Sequence, residues 1–284
     1  MLKQRIITAL ALLAVLLPAL FAETPQAFLI LSALLIAAGA WEWARMNGMA
    51  NVQSVVSGVM CAGMCALAWW AGWTSQTQTW LWWFAGASWV GLTTWMLLRG
   101  VQGWALWRQN VRWVLGVLML WLAWLAMAQA RMSSVQLLLS IFCVVWAADV
   151  FAYFFGRALG GKIIHQKLAP TVSPGKSWEG AIGGLFGVFL MAFGWMHLEQ
   201  IYQWPGTSFF MEMTQHGVFL WALSLIFLTT MSVVGDLVES LVKRSAGVKD
   251  SSKLLPGHGG VLDRLDALLP ALPIAMMLLH WPKV

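Results

Sequence analysis

The sequence predicts an all-α, polytopic integral membrane protein of about nine transmembrane helices with its N-terminus in the cytoplasm. Three observations carry this. First, the 284 residues are 60% hydrophobic and 10% charged, against about 45–50% apolar and about 25% charged in soluble domains. A soluble chain of this length could not hide so much apolar surface, and disorder is excluded by the same figures. Second, the apolar residues fall in runs of the length that crosses a hydrocarbon core about 30 Å thick at about 1.5 Å per residue. Third, the cations segregate to one side. A mean hydropathy of +0.74 agrees, and the 21 Trp suit a membrane chain, those near helix ends as interfacial anchors.

In order, the candidate spans are 6–22, 27–44, 54–72, 79–98, 112–130, 134–155, 180–198, 217–235 and 267–281. The first has the basic start of a signal peptide, but its apolar run is long and Leu20 spoils the small-x-small cleavage pattern, so it is kept as a span. The last is short and carries Pro270 and Pro273, which makes it the weakest. With nine alternating spans, 15 of the 17 Lys and Arg residues fall on the cytoplasmic side, and only Arg131 and Lys283 on the other. This is the positive-inside pattern. The charge of +6 therefore points to topology rather than to nucleic acid. Cys61 and Cys65 are i,i+4 within a span and Cys143 lies in another, which suits packing rather than a disulfide or a zinc site. The chain divides into residues 1–133, spans one to five, and residues 134–284, spans six to nine with cytoplasmic loops 156–179 and 236–266.

Polar chemistry is concentrated in the second part. All five aspartates lie between 149 and 266, and four of them fall between Asp236 and Asp266, beside five cations and His258. If span eight continues as helix, Asp236, Glu239, Ser240 and Lys243 share one face, and Asp263 and Asp266 share another. Between them lie Pro256, Gly257, Gly259 and Gly260, the composition of a loop that folds back and returns Asp263 towards Asp236. Two aspartates from two helix ends suit Mg²⁺ or Mn²⁺ held jointly with substrate phosphates. Glycine N–H groups and the nearby Lys and Arg suit the phosphates themselves. The alternative is a basic loop with salt bridges and a helix cap. Asp149 is a charge inside a span, hence a candidate functional residue, or an interfacial aspartate paired with Arg157 or Lys162. Its i+4 neighbour Tyr153 is either a hydrogen-bond partner or an interfacial aromatic. Ser173-Pro174-Gly175-Lys176-Ser177 resembles a phosphate-binding turn running into a helix, but lacks the spacing of a P-loop. Glu179 reads equally well as a first-turn helix charge.

The motif Ser240-x-Val242-Lys243-Arg244, Lys249-Asp250-x-Ser252 and Leu255-Pro256-x-His258-Gly259-Gly260-Val261-x-Asp263-Arg264-Leu265-Asp266 resembles the signature of the phosphatidate cytidylyltransferase (CDP-diacylglycerol synthase) family. Asp149-x-x-Ala152-Tyr153, Ser173-Pro174-Gly175-Lys176 and Gly235-Asp236 resemble further elements of it. The similarity is specific over about 145–270 and weak before that. One departure is Gly160–Gln166, longer than the family pattern, which leaves the geometry of that loop open.

The resemblance implies the reaction of CTP with phosphatidate to give CDP-diacylglycerol and pyrophosphate at the cytoplasmic face of a bacterial inner membrane. It implies Mg²⁺ or Mn²⁺, with room for a monovalent cation, and a homodimer. By resemblance, Asp236 and Asp263 are the leading metal ligands, followed by Asp149 and Asp266. Lys243, Arg244, Lys249 and Arg264 are assigned to phosphates, and Asp250 and His258 to the catalytic set. Ser173, Lys176, Lys167, Tyr153, Ser240, Gly259 and Gly260 are assigned to substrate. Two other readings stand beside this one. A CTP-dependent polyprenol kinase shares the chemistry, and an ion- or proton-coupled transporter would use Asp149 and Asp236 as a relay, though its polar residues would spread along several helices.

Overall fold

The computed structural model describes residues 2–76 and 78–282, apart from the side chain of Leu2; Lys283, one of the two cations assigned to the far side, lies outside the described residues. The chain forms α1 (Leu2–Phe21), α2 (Gln26–Met46), α3 (Asn51–Trp70), α4 (Thr79–Ala105), α5 (Gln109–Ser133) and α6 (Val135–Leu159). A hairpin follows, β1 (Lys167–Ala169) and β2 (Ser173–Ser177), then α7 (Trp178–Tyr202), α8 (Phe209–Thr214), α9 (Val218–Ser245), α10 (Leu262–Leu265) and α11 (Leu268–Leu279). The all-α prediction holds, with one two-stranded antiparallel hairpin added in the loop 156–179.

Among the described residues, seven helices are long and apolar enough to cross a membrane: α1, α2, α3, α5, α6, α7 and α9. The predicted count of nine is not reached by this measure, for two reasons. α4 has the length, but its many Trp, Gly and Thr make it less apolar, and it breaks at Gly100 (φ 66°). The last predicted span is the 12-residue α11, about 18 Å long at about 1.5 Å per residue. Its residues from Leu268 to Leu278 are buried, as expected of a helix that is apolar all round. α10 precedes it almost without interruption. The break falls at Asp266–Ala267 because Pro270 has no N–H for the Asp266 carbonyl. The combined rod enters beside α9 and ends at Met276 and His280, which border a cavity with Thr74, Gln129 and Ser134 at the opposite end of the bundle.

Lipid tails are as apolar as the side chains facing them, so these helices associate through close packing and internal hydrogen bonds. Where α6 meets α7, Gly180 and Gly184 bring the backbones together: a Cβ added at Gly184 falls 2.8 Å from the Ala148 carbonyl oxygen. The rings of Phe151 and Phe155 lie over Gly187 and Gly183. The buried Arg131 at the end of α5 donates to the Leu20 carbonyl (2.9 Å) and the Ala22 carbonyl (2.7 Å), so it satisfies orphan acceptors at the end of α1. Cys61 and Cys65 are free and buried, as their spacing implied. Gly184→Leu forces α7 off α6, and the thermal midpoint in detergent is expected to drop by roughly 5 °C or more; differential scanning fluorimetry of the purified variant checks this.

Candidate active site

Loops 156–179 and 236–266 meet at one end of the bundle. The first is shaped by Glu179. Its carboxylate accepts from the N–H groups of Gly161 (3.0 Å), Ile163 (3.1 Å) and Ile164 (2.9 Å), which folds the Gly160–Gln166 stretch over the start of α7. Ser177 caps the same helix by accepting from the Gly180 N–H. The hairpin then projects Lys176 onto α9, where its ammonium meets Asp236 Oδ2 at 2.7 Å. The other oxygen of Asp236 accepts from the Ser240 hydroxyl at 3.3 Å.

The second loop does fold back. α9 runs on past the membrane-length portion to Ser245, and α10 returns alongside it. Gly235 is what permits the approach: a Cβ there falls 2.5 Å from the Asp266 carbonyl oxygen and 2.8 Å from Pro270. About two turns along, Lys243 pairs with both Glu239 on its own helix and Asp263 Oδ1, the latter at 2.6 Å. Asp263 Oδ2 accepts from the N–H of Ser251 (2.9 Å), the N–H of Gly260 (2.8 Å) and the Ser251 hydroxyl (2.9 Å). Burial works to raise the Asp263 pKa, but Lys243 and these donors outweigh it and leave it below the ordinary carboxylate range. Asp266 is pushed the other way, up to about 7, by burial and by the like charge of Asp236.

Asp149 sits within the electrostatic reach of Asp236, Lys176 and Arg264. Its expected alternative partners are engaged elsewhere: Arg157 donates to the Tyr153 hydroxyl (3.0 Å) and Lys162 to the Ala158 carbonyl. Tyr153 is an exposed aromatic turned towards Arg157. The structure thus brings together Lys176, Asp236, Ser240, Lys243 and Asp263 in direct pairs, with Asp149 and Asp266 beside them. A neighbouring cleft of about 760 Å³ collects Lys249, Asp250, His258, Gly259 and Arg264, together with Arg5 and Lys253. Arg264 also donates to the His258 carbonyl, and His258 Nδ1 is buried with no hydrogen-bond partner among the described residues. Lys167 and Ser173 stay on the hairpin, Lys167 exposed, and Arg244 donates to the Val248 carbonyl. The N–H of Gly260 is engaged by Asp263 and is not turned to the cleft, whereas Gly259 adopts a left-handed φ of 83° that the turn requires.

Among the described residues, no three His, Cys, Asp or Glu converge on a metal position. The donors are nevertheless oxygen only, and Asp236 and Asp149 offer carboxylates at the rim. This set fits Mg²⁺ bound through one or two carboxylates and completed by substrate phosphates. It does not fit an all-protein cage.

Sequence reasoning missed Glu42. This carboxylate, 0% exposed in α2, accepts from the hydroxyls of Ser251 (3.0 Å) and Ser252 (2.6 Å) and from the N–H groups of Val261 (2.9 Å) and Leu262 (2.8 Å). It therefore holds both ends of the folded-back loop and caps α10 from another helix. The available signal was its position: an ionised group inside an apolar span must find partners. Glu42→Gln turns an amide NH₂ towards an N–H donor. Each unmet buried group costs about 1–3 kcal/mol, so the thermal midpoint of the variant in detergent is expected to fall by roughly 2 °C or more, with a further fall for Glu42→Ala, as differential scanning fluorimetry would read.

The sequence pattern of the cytidylyltransferase family matches residues 3–281. A phosphatidate cytidylyltransferase of Haemophilus influenzae is 35% identical over 293 residues, covering 96% of this chain and 96% of its own. One of Pseudomonas aeruginosa is 34% identical over 287 residues, covering 98% and 97%. Over a shorter stretch of 131 residues, 46% of this chain and 42% of the relative, identity to a phosphatidate cytidylyltransferase of Brucella abortus is 47%. With its folded-back pair of charged helix ends and a match that runs nearly from end to end, the chain belongs to the cytidylyltransferase family.

Proposed function

We propose that this protein transfers the cytidylyl group of CTP to phosphatidate, releasing pyrophosphate and forming CDP-diacylglycerol. The observation that carries the reading is the paired arrangement Lys176–Asp236 and Lys243–Asp263 at the mouth of one bundle end, in a chain similar along its whole length to proteins of that name. A phosphatidate oxygen forms the new bond to the α-phosphorus of CTP, and the bond from that phosphorus to the bridging oxygen of the β-phosphate breaks. The nucleophile is already anionic, so no strong base is needed; the obstacle is repulsion between two polyanions. Fixed cations reduce it by neutralising and positioning the phosphates. We assign this role to Lys176, beside Asp236, and to Arg264 and Lys249, which line the cleft, while Lys243 would keep Asp263 and Glu239 in register. Mg²⁺, held at Asp236 with Asp149, Asp263 or Asp266, would supply the remaining charge neutralisation of the triphosphate. A polyprenol kinase or an ion-coupled transporter has no comparable support.

The excess of cations in the loops at this end supports a cytoplasmic site in a bacterial inner membrane, and a homodimer remains part of the proposal through family resemblance alone.

Purified protein in detergent micelles given CTP, phosphatidate and Mg²⁺ is expected to release pyrophosphate and form CDP-diacylglycerol in equal amounts; absence of both products overturns the assignment. In Asp263→Asn, turnover is expected to fall by two or more orders of magnitude, as when a group acting directly on the transition state is removed, while expression persists. For orientation, a reporter fused ahead of residue 1 is expected to be active in the cytoplasm and one after Val284 outside it. A C-terminal reporter on the cytoplasmic side would mean an even number of crossings, with α10–α11 the first suspect.

A further inference from the structure

On the cytidylyltransferase reading the charged site takes the phosphate of a lipid substrate, whose tails need apolar surroundings close by. α1 supplies them through the way it is attached. At its far end Leu20 is buried and Arg131 holds the carbonyls of Leu20 and Ala22. At its near end Thr8 donates to the Pro256 carbonyl at 2.9 Å, and Arg5 lies against Gly257. Between these two anchors the helix stands off the bundle. Thr8, Leu12 and Leu16, i,i+4 apart on one face, are only half-buried. They look onto an apolar groove of about 590 Å³, whose other walls include Leu35, Trp146 and Leu268. The size is that of a ligand site, about 300–1,000 Å³, and Thr8 to Leu16 spans about 12 Å of helix.

The groove does not stand alone. Pro256 and Arg264 line both it and the polar cleft that contains Lys249 and His258. One guanidinium thus marks the point where an apolar channel ends and a cleft lined by Arg5, Lys249 and Lys253 begins, and its charge reaches Asp149. That is the order of chemistry along a phosphatidate molecule, from acyl chain to phosphomonoester.

We propose that this groove under α1 receives an acyl chain of the phosphatidate while its phosphate engages Arg264; the proposal rests on the cytidylyltransferase reading above. The bilayer is as apolar as the groove, so the groove adds no hydrophobic affinity of its own. It lets the phosphate reach the site without drawing methylenes into the polar cleft, where they would lose apolar surroundings. Chain length therefore becomes a determinant of reaction, and a blocked groove misplaces the phosphate.

The test compares dioleoyl with dihexanoyl phosphatidate in mixed micelles. Leu12→Trp, which fills the groove, is expected to lower kcat/KM for the dioleoyl substrate by about tenfold or more, as a small misplacement of a reacting group does, and to leave the dihexanoyl value within about twofold. Leu13→Trp, on the exposed face of α1, is expected to change neither. Because a tryptophan beside packed helices risks misfolding, Leu12→Cys provides a second route. The folded variant is treated with a long alkyl thiosulfonate and then reduced, with the unsubstituted protein treated alike as a control for Cys143. Selective loss of dioleoyl turnover that reduction restores supports the groove. Equal loss on both substrates, or no loss on either, overturns it. No turnover of either substrate by the unsubstituted protein overturns the cytidylyltransferase reading itself, and the groove assignment with it.

Discussion

One buried carboxylate, Glu42, accepts four hydrogen bonds from residues more than two hundred positions away. The segment it holds, from Ser251 to Leu262, is irregular backbone whose two ends, Ser251 and Gly260 to Leu262, are buried against the bundle. Irregular backbone is tolerated at such a place only if the protein itself satisfies its donors and acceptors. Asp263 completes the task from the loop's own end, and the Ser251 hydroxyl lies between the two acids, 3.0 Å from Glu42 and 2.9 Å from Asp263. Gly260 is the residue that lets them approach, since a Cβ there falls 2.5 Å from Glu42 Oε1. The position of Asp263, of Arg264 and of the whole α10–α11 rod follows from this network.

The site built on that frame is an alternation of opposite charges. Lys176 comes from the hairpin, Asp236 from α9, Lys243 from the next turns of α9, and Asp263 from the returning helix. Each lysine neutralises an acid that would otherwise repel its neighbours in partly desolvated surroundings. Polyanionic substrates would compete with those acids for the same ammonium groups, while a divalent cation would take the place of the lysines on the carboxylates. An exchange of partners is a natural property of such an arrangement, and it needs no large movement of the helices.

Much of this was legible beforehand, and the failures are instructive. The spans from hydropathy matched α1, α2, α3, α5, α6, α7 and α9 because burial in lipid imposes a length and a composition that a single window records. α11 escaped the rule because it is surrounded by protein and not by lipid, so no thickness constrains it. The i,i+3 and i,i+4 spacing on α9 correctly placed Asp236 beside Ser240 and Glu239 beside Lys243. The same spacing said nothing of Lys176 meeting Asp236, nor of Glu179 ordering the long Gly160–Gln166 loop, since those contacts join separate elements. Spacing left Tyr153 open as a partner of Asp149 or an interfacial aromatic; its ring is exposed and its hydroxyl accepts from Arg157 on the same helix.

Sequence alone determined the membrane class, most of the helix limits and the gathering of aspartates and cations in two loops. Those are local properties: hydropathy, charge and periodicity act over a turn or a span, and in so apolar a chain every charge stands out. Tertiary structure alone decided which acid each lysine meets, which buried acid secures the loop, and where an apolar groove opens beside the cations. Such matters depend on helices distant in the chain being brought within hydrogen-bond range, and no window along the sequence contains both partners.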